Sequence, residues 1–128
     1  MSDGPTYGFD TLQIHAGARP DPATGARQTP IYQTTAYVFR DADHAAALFN
    51  LQEVGYIYSR LTNPTVAVLQ ERIATLEGGQ GAVCCSSGHA AQIMALFALM
   101  APGRNVVAST RLYGGTITQF SQTIKRFG

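Results

Sequence analysis

The sequence predicts an α/β chain with an extended N-terminal arm, followed by the start of a mainly parallel sheet flanked by helices. Three observations carry this. Residues 1–40 are rich in Pro, Gly, Thr and Gln and show no helical period. From Thr65 onward, helical stretches alternate with two short apolar runs of strand length. Their order is helix, strand, helix, strand, helix, the pattern of a parallel sheet whose crossovers are helices.

The arm segment "GARPDPATGARQTPIYQTTAYVF" can run extended but cannot build a core, so it is expected to lie on another surface. "DADHAAALFNLQE" has a cap candidate in Asp41 or Asp43 and an Ala/Leu/Phe face, which predicts a short helix. "YSRLTNPT", Tyr58 to Thr65, sets a phenol and a guanidinium two residues apart, ahead of the Asn63-Pro64 turn signal. A fork of N–H donors beside an O–H points to a held oxyanion. "TVAVLQERIATLEGG" puts Val66, Leu69, Ile73 and Leu76 on one stripe and stops at Gly78-Gly79, an amphipathic helix with a glycine end.

"GAVCCSS" suits a strand covered on both faces. "GHAAQIMALFALM" is a helix apolar almost all round, stopped by "APG", and "RNVVAST" is a second buried strand. "GGTITQFSQTIKRFG" is a further amphipathic helix with Ile117, Phe120 and Ile124 on one side. Lys125 and Arg126 in its last turn complement the helix dipole, and Gly128 suits its C-terminal cap. Two parallel strands cannot cover three apolar helices. The expectation is therefore the N-terminal part of a larger protein, with a small self-sufficient domain as the alternative. The boundary is set between an arm with a short helix, residues 1–63, and an incomplete larger domain, residues 64–128.

Composition narrows the function. The chain of 128 residues is 45% hydrophobic but only 13% charged, against roughly 25% charged in an average soluble protein. So little charged surface fits a piece covered by further polypeptide or by another subunit. A net charge of +1 without a basic stripe excludes a nucleic-acid footprint. No apolar run is long enough to span a membrane, and "MSDGPTYGFD" lacks a leader's basic start and apolar block. Cys84 and Cys85 are adjacent and have no metal spacing, so they are expected as two small buried core residues in a reducing, cytoplasmic setting. His15, His44 and His89 share no metal spacing either; His44 is expected on an exposed helix face.

Two stretches carry candidate chemistry. In "CCSSGHAA" a strand ends at Ser86-Ser87, Gly88 permits a tight turn and a helix starts at once. Amide N–H groups at such a helix start form an anion site suited to phosphate, although an ordinary strand-to-helix turn has the same sequence. No Walker loop, dinucleotide fingerprint or nucleophile elbow is present. "RLYGGT" follows the second strand, so Tyr113 belongs at the same carboxyl edge of the sheet as Gly88, where ligands of parallel α/β folds bind. Tyr113 there either stacks on a flat ring and relays a proton through its hydroxyl, or is a partly buried turn residue. Lys125, the single lysine, reads as a solvated partner of its helix end.

Taken together, "PIYQTTAYVF", "YSRLTNPT", "LEGGQGAVCCSSGHAAQ" and "LYGGT" resemble the fold-type I pyridoxal-phosphate enzymes of cysteine and methionine metabolism, in that family's order and spacing. The resemblance runs from Phe9 to Phe127. "FDTLQIHAG", "PDPATGARQTPIYQTT" and a histidine after Gly88 are similar to the O-acetylhomoserine sulfhydrylase branch. It implies that Tyr58 and Arg60 bind the cofactor phosphate of a neighbouring subunit. It implies that the amides at Gly88 and His89 hold this subunit's own phosphate, and that Tyr113 stacks on the pyridine ring and assists proton transfer. The reaction implied is γ-replacement, O-acetyl-L-homoserine plus sulfide or a thiol giving L-homocysteine and acetate, by a homotetramer built from dimers with shared sites. Methionine γ-lyase or cystathionine γ-synthase chemistry is the enzymatic alternative, and a non-catalytic phosphate-binding or assembly fragment the other. The family's Schiff-base lysine and the acid paired with the pyridine nitrogen lie downstream of these motifs, and Lys125 does not match the lysine.

Overall fold

The structure is a computed structural model that describes residues 6–128. The first five residues, where the arm and the segment searched for a leader begin, lie outside the described residues. The chain forms two compact units, one reaching to Cys84 and the other covering Cys85–Gly128.

Three helices make up the first unit: α1 (Phe9–His15), α2 (Ala42–Phe49) and α3 (Pro64–Glu77). Helix α1 falls in a stretch expected to be irregular. Seven residues are too few to hold a helix by propensity alone, and tertiary contact supplies the difference. α1 lies against α3, and the Arg72 Nε–H of α3 donates to the Ala16 carbonyl just after α1, at 3.0 Å. Gly17 then turns away with φ of 72°. A Cβ at Gly17 would sit 2.7 Å from the Val68 carbonyl oxygen, so the contact needs glycine for space as well as for conformation.

Of the two cap candidates, Asp41 starts α2: its carboxylate accepts from the His44 amide at 2.7 Å. The His44 ring is not on an open face: its side chain is only 14% exposed. Nδ1 accepts the Arg40 amide at 3.1 Å, and Nε2 lies 3.6 Å from Glu53, which also binds the Arg40 guanidinium. The histidine is turned inward by these contacts with the Arg40 backbone and Glu53. Leu48, buried, fills the space beside Gly55, where a Cβ would lie 2.8 Å from the leucine methyl.

Helix α3 forms as its pattern predicts, from the Asn63 cap to the left-handed Gly78. Its apolar stripe is not covered, however. Val66, Leu69 and Ile73 remain about half exposed, while the neighbouring face at Val68, Glu71 and Arg72 meets the end of α1.

The second unit holds α4 (Gly88–Leu99) and α5 (Gly114–Thr118), the latter continuing as a π-helical turn, Gln119–Thr123, and a 3-10 turn, Ile124–Phe127. One amphipathic helix was expected from Gly114 to the end. Its β-branched residues Thr116, Ile117, Thr118, Thr123 and Ile124 hold regular helix weakly, and the π turn begins at Gln119, whose side chain is drawn inward.

Neither expected strand joins a ladder. Among the described residues sheet pairing is confined to one isolated antiparallel bridge, Ala36 to Tyr58. A strand exists through neighbours that take its N–H and C=O groups, and "GAVCCSS" and "RNVVAST" have none here. Val83 is 73% and Val107 97% exposed. Cys84 and Cys85 are exposed free thiols rather than core residues, for the same reason. Among the described residues only Leu48 and Ala74 are buried apolar side chains, and no helix is long and apolar enough to cross a membrane.

Candidate functional site

Tyr58 and Arg60 come together in the first unit. The Arg60 Nη2 donates to the Tyr58 hydroxyl oxygen at 2.6 Å, and the guanidinium carbon lies 5.2 Å from the Tyr58 ring centroid. Because the phenol oxygen accepts from Arg60, its own O–H is free to donate outward. Arg60 is exposed. The pair is a preformed donor set, with a planar guanidinium fork, that suits a multiply charged oxyanion.

What holds this pair in register is a network that sequence reasoning missed. The Ser59 amide donates to the Thr35 carbonyl at 2.9 Å, its hydroxyl donates to Thr34, and the Tyr37 amide donates to Ile57 at 3.1 Å. Asn63, read as part of the turn signal that opens a helix, is 9% exposed and uses both ends of its amide. Its Oδ1 accepts from Thr65 and Val66, capping α3, while Nδ2 donates to the Tyr32 carbonyl at 2.9 Å and Ser59 Oγ at 3.0 Å. The Thr65 hydroxyl donates to Pro30 at 2.8 Å and accepts from the Tyr32 amide at 2.9 Å. The signal available in the sequence was Asn-Pro-Thr itself: an N-cap, an N1 proline and a hydroxyl in the first turn.

Gly88, His89 and Tyr113 belong to the second unit. Ser87 caps α4, accepting from the Ala90 amide at 3.2 Å, and the Ala91 amide takes the Ser87 carbonyl at 3.0 Å. Among the described residues the Gly88 and His89 amides, ahead of these, have no acceptor. Gly88 and His89 are both exposed, and a Cβ at Gly88 would meet nothing within 4 Å. An anion with several oxygens fits two free N–H groups at the positive end of a twelve-residue helix.

Tyr113 is 76% exposed and caps α5 with its carbonyl, which accepts from Thr116 at 2.9 Å and Ile117 at 3.1 Å. Its ring lies beside the His89 imidazole, centroids 6.0 Å apart and planes tilted by 38°. The histidine thus offers its ring to Tyr113 as well as its amide to solvent. A Cβ at Gly115 would sit 2.6 Å from the Tyr113 ring and 2.8 Å from the imidazole Cε1, so both rings close over this glycine. Behind them, the Gln119 side chain donates to the His89 carbonyl at 3.2 Å, and the Gln92 side chain donates to the Thr116 hydroxyl at 3.0 Å. These links tie the start of α4 to α5. Composition alone gave no sign of them.

Lys125 is exposed in the last turn, as expected. Among the described residues no three His, Cys, Asp or Glu side chains converge as metal ligands.

Residues 10–128 match the family model for Cys/Met metabolism PLP-dependent enzymes. The chain is 57% identical over 120 residues to O-acetyl-L-homoserine sulfhydrylase 1 of Thermus thermophilus, a match covering 94% of this chain and 28% of that protein. It is 55% identical to the homocysteine synthase of Schizosaccharomyces pombe, with the same two coverages of 94% and 28%. Its backbone superimposes with a TM-score of 0.91 and 47% identity on a Campylobacter jejuni crystal structure named for O-acetylhomoserine (thiol)-lyase, which contains N'-pyridoxyl-lysine-5'-monophosphate. That match covers 96% of this chain and 30% of that one. The chain thus spans about 30% of the length of such relatives. With donor groups suited to phosphate and a family match over nearly its whole length, the chain belongs to the pyridoxal-phosphate-dependent enzymes of cysteine and methionine metabolism.

Proposed function

We propose that this chain acts within a longer polypeptide that catalyses γ-replacement: O-acetyl-L-homoserine and sulfide, or a thiol, give L-homocysteine and acetate. The observation that carries the reaction is the 57% identity to a protein named O-acetyl-L-homoserine sulfhydrylase. The donor geometry supports the cofactor contacts. Arg60, with its planar fork of N–H donors, and Tyr58, through its hydroxyl, would hold a phosphate in a neighbouring subunit's site. The Gly88 and His89 amides would hold the phosphate in this subunit's own site. Pyridoxal phosphate, when bound, supplies an electron sink for carbanions next to the substrate nitrogen. Tyr113 would cover the pyridine ring, exclude water from that face and move a proton through its hydroxyl.

On this reading residues 1–63 contact a neighbouring subunit and residues 64–128 begin the cofactor-binding domain. The assembly is a homotetramer of dimers with shared sites, in the cytoplasm, where Cys84 and Cys85 stay reduced. The Schiff-base lysine and the pyridine-nitrogen partner come from other parts of the polypeptide, so the 128-residue chain alone is inactive. The full-length protein, loaded with cofactor, should release acetate and homocysteine from O-acetyl-L-homoserine only when sulfide or a thiol is supplied. Ammonia and a 2-oxo acid formed without sulfide would make it a γ-lyase instead. Failure to turn over any homoserine ester would leave the non-catalytic reading.

A further inference from the structure

We propose that the His89 imidazole is a positioning residue for Tyr113, and that Gly115 is the gap that lets the two rings meet. The inference rests on the cofactor reading above and extends it to a side chain that reading uses only for its backbone amide. Tyr113 is 76% exposed, so little else restrains its ring. The imidazole lies 6.0 Å from it, tilted by 38°, within the centroid range over which aromatic rings attract one another. Gly115 lies under both: a Cβ there would come within 2.6 Å of Tyr113 Cε1 and within 2.9 Å of His89 Nε2. Neither ring can keep its place if that Cβ exists. His89 itself is fixed from behind, since Gln119, 92% buried by its relative exposure of 8%, donates to its carbonyl. A side chain on a fixed helix start therefore braces a tyrosine on a glycine turn. A ring braced before the ligand arrives loses less freedom when it stacks, and so binds more tightly.

The test is a double-mutant cycle on the full-length protein, read as affinity of the apo form for pyridoxal phosphate by fluorescence titration. His89→Ala should weaken binding about 2- to 10-fold, the range expected for one aromatic pair. Gly115→Ala should weaken it in the same direction. In a Tyr113→Ala background the His89→Ala change should cost nothing further, because the ring it braces is gone. His89→Phe, which restores an aromatic face, should recover most of the loss in the Tyr113 background. Equal losses for His89→Ala with and without Tyr113 would overturn the proposal, since they would mean the imidazole acts on the helix start alone. No loss for Tyr113→Ala by itself would instead overturn the stacking role on which the proposal rests, and would do so independently of His89.

Discussion

Replacing Asn63 by Ala or by Asp separates the two ends of one buried amide. Asn63→Ala removes the cap of α3, about 1 kcal/mol. It also leaves the Tyr32 carbonyl without its 2.9 Å donor in a part-buried site, which costs about 1–3 kcal/mol where the carbonyl stays unpaired. The sum is roughly 2–4 kcal/mol of local stability. Asn63→Asp keeps the acceptor that Thr65 and Val66 use and adds a charge favourable to the helix start. As a cap alone it should be neutral or slightly stabilising. But its second oxygen faces the Tyr32 carbonyl and Ser59 Oγ, where the amide donated. Oxygen then opposes oxygen, and we expect a loss near that of Ala. Amide hydrogen exchange by mass spectrometry on the full-length protein reads this locally. A loss of about 2 kcal/mol should speed exchange roughly 30-fold across residues 30–36 and the first turn of α3. Wild-type protection of both segments in the Asn63→Asp protein would refute the argument that the donor end fixes the arm.

Arg60→Ala should weaken pyridoxal phosphate binding by the full-length apo protein about 10- to 100-fold, since a hydrogen bond to a charged group is worth roughly 1.5–3 kcal/mol; Arg60→Lys should recover part of this and Tyr58→Phe should cost least, and unchanged titrations would remove the pair from the phosphate site. Mixing Arg60→Ala protein with a variant lacking the Schiff-base lysine should restore some activity in mixed dimers; none in demonstrably mixed dimers would place the pair in its own subunit's site. Gly17→Ala should destabilise by about 1–3 kcal/mol through its positive φ and the Val68 contact, whereas Gly25→Ala, at φ of 72° with nothing within 4 Å, should cost less; equal melting shifts would deny the contact. The Asp21 carboxyl lies below its usual range of 3.8, chiefly through the hydrogen bond from the Thr24 hydroxyl and then from the Thr24 amide. A depressed carboxylate gives stability that is present above the unfolded value and lost as pH falls through the folded one. Protection of the turn at residues 21–26 should therefore fade below about pH 4, and Asp21→Asn should abolish that pH dependence.

How much was legible depended on whether the signal was local. The helix starts follow from chemistry that each neighbourhood carries: of the two cap candidates Asp41 serves α2, the Asn63-Pro64 signal opens α3, and α4 begins right after Ser86-Ser87. The glycine stop at Gly78 formed as well. Helix α1 was invisible because its support, the Arg72 bond to Ala16, comes from 56 residues away. The strand positions were drawn from apolar runs, but apolarity expresses a need for cover and does not create the neighbour that meets it. At the site, a phenol and a guanidinium two residues apart, which the structure brings to 2.6 Å, were readable from residue type. The brace of His89 on Tyr113 was not, since it depends on a glycine two residues beyond the tyrosine and a helix start 24 residues before it.

The run 104–110, which pairs with no strand among the described residues, bears on how this polypeptide is made and handled. A β-branched segment with bare backbone donors and acceptors is a template for any similar segment it meets, including one from another copy. Val107 stands 97% exposed within it, and the nearest charge in the run is Arg104 at its edge. Until such a segment is taken up into a sheet, its fate is a competition between intramolecular pairing, whose rate is independent of concentration, and intermolecular pairing, whose rate rises with it. Dilution, low temperature during synthesis, or a chaperone that holds extended chains would all favour the first outcome.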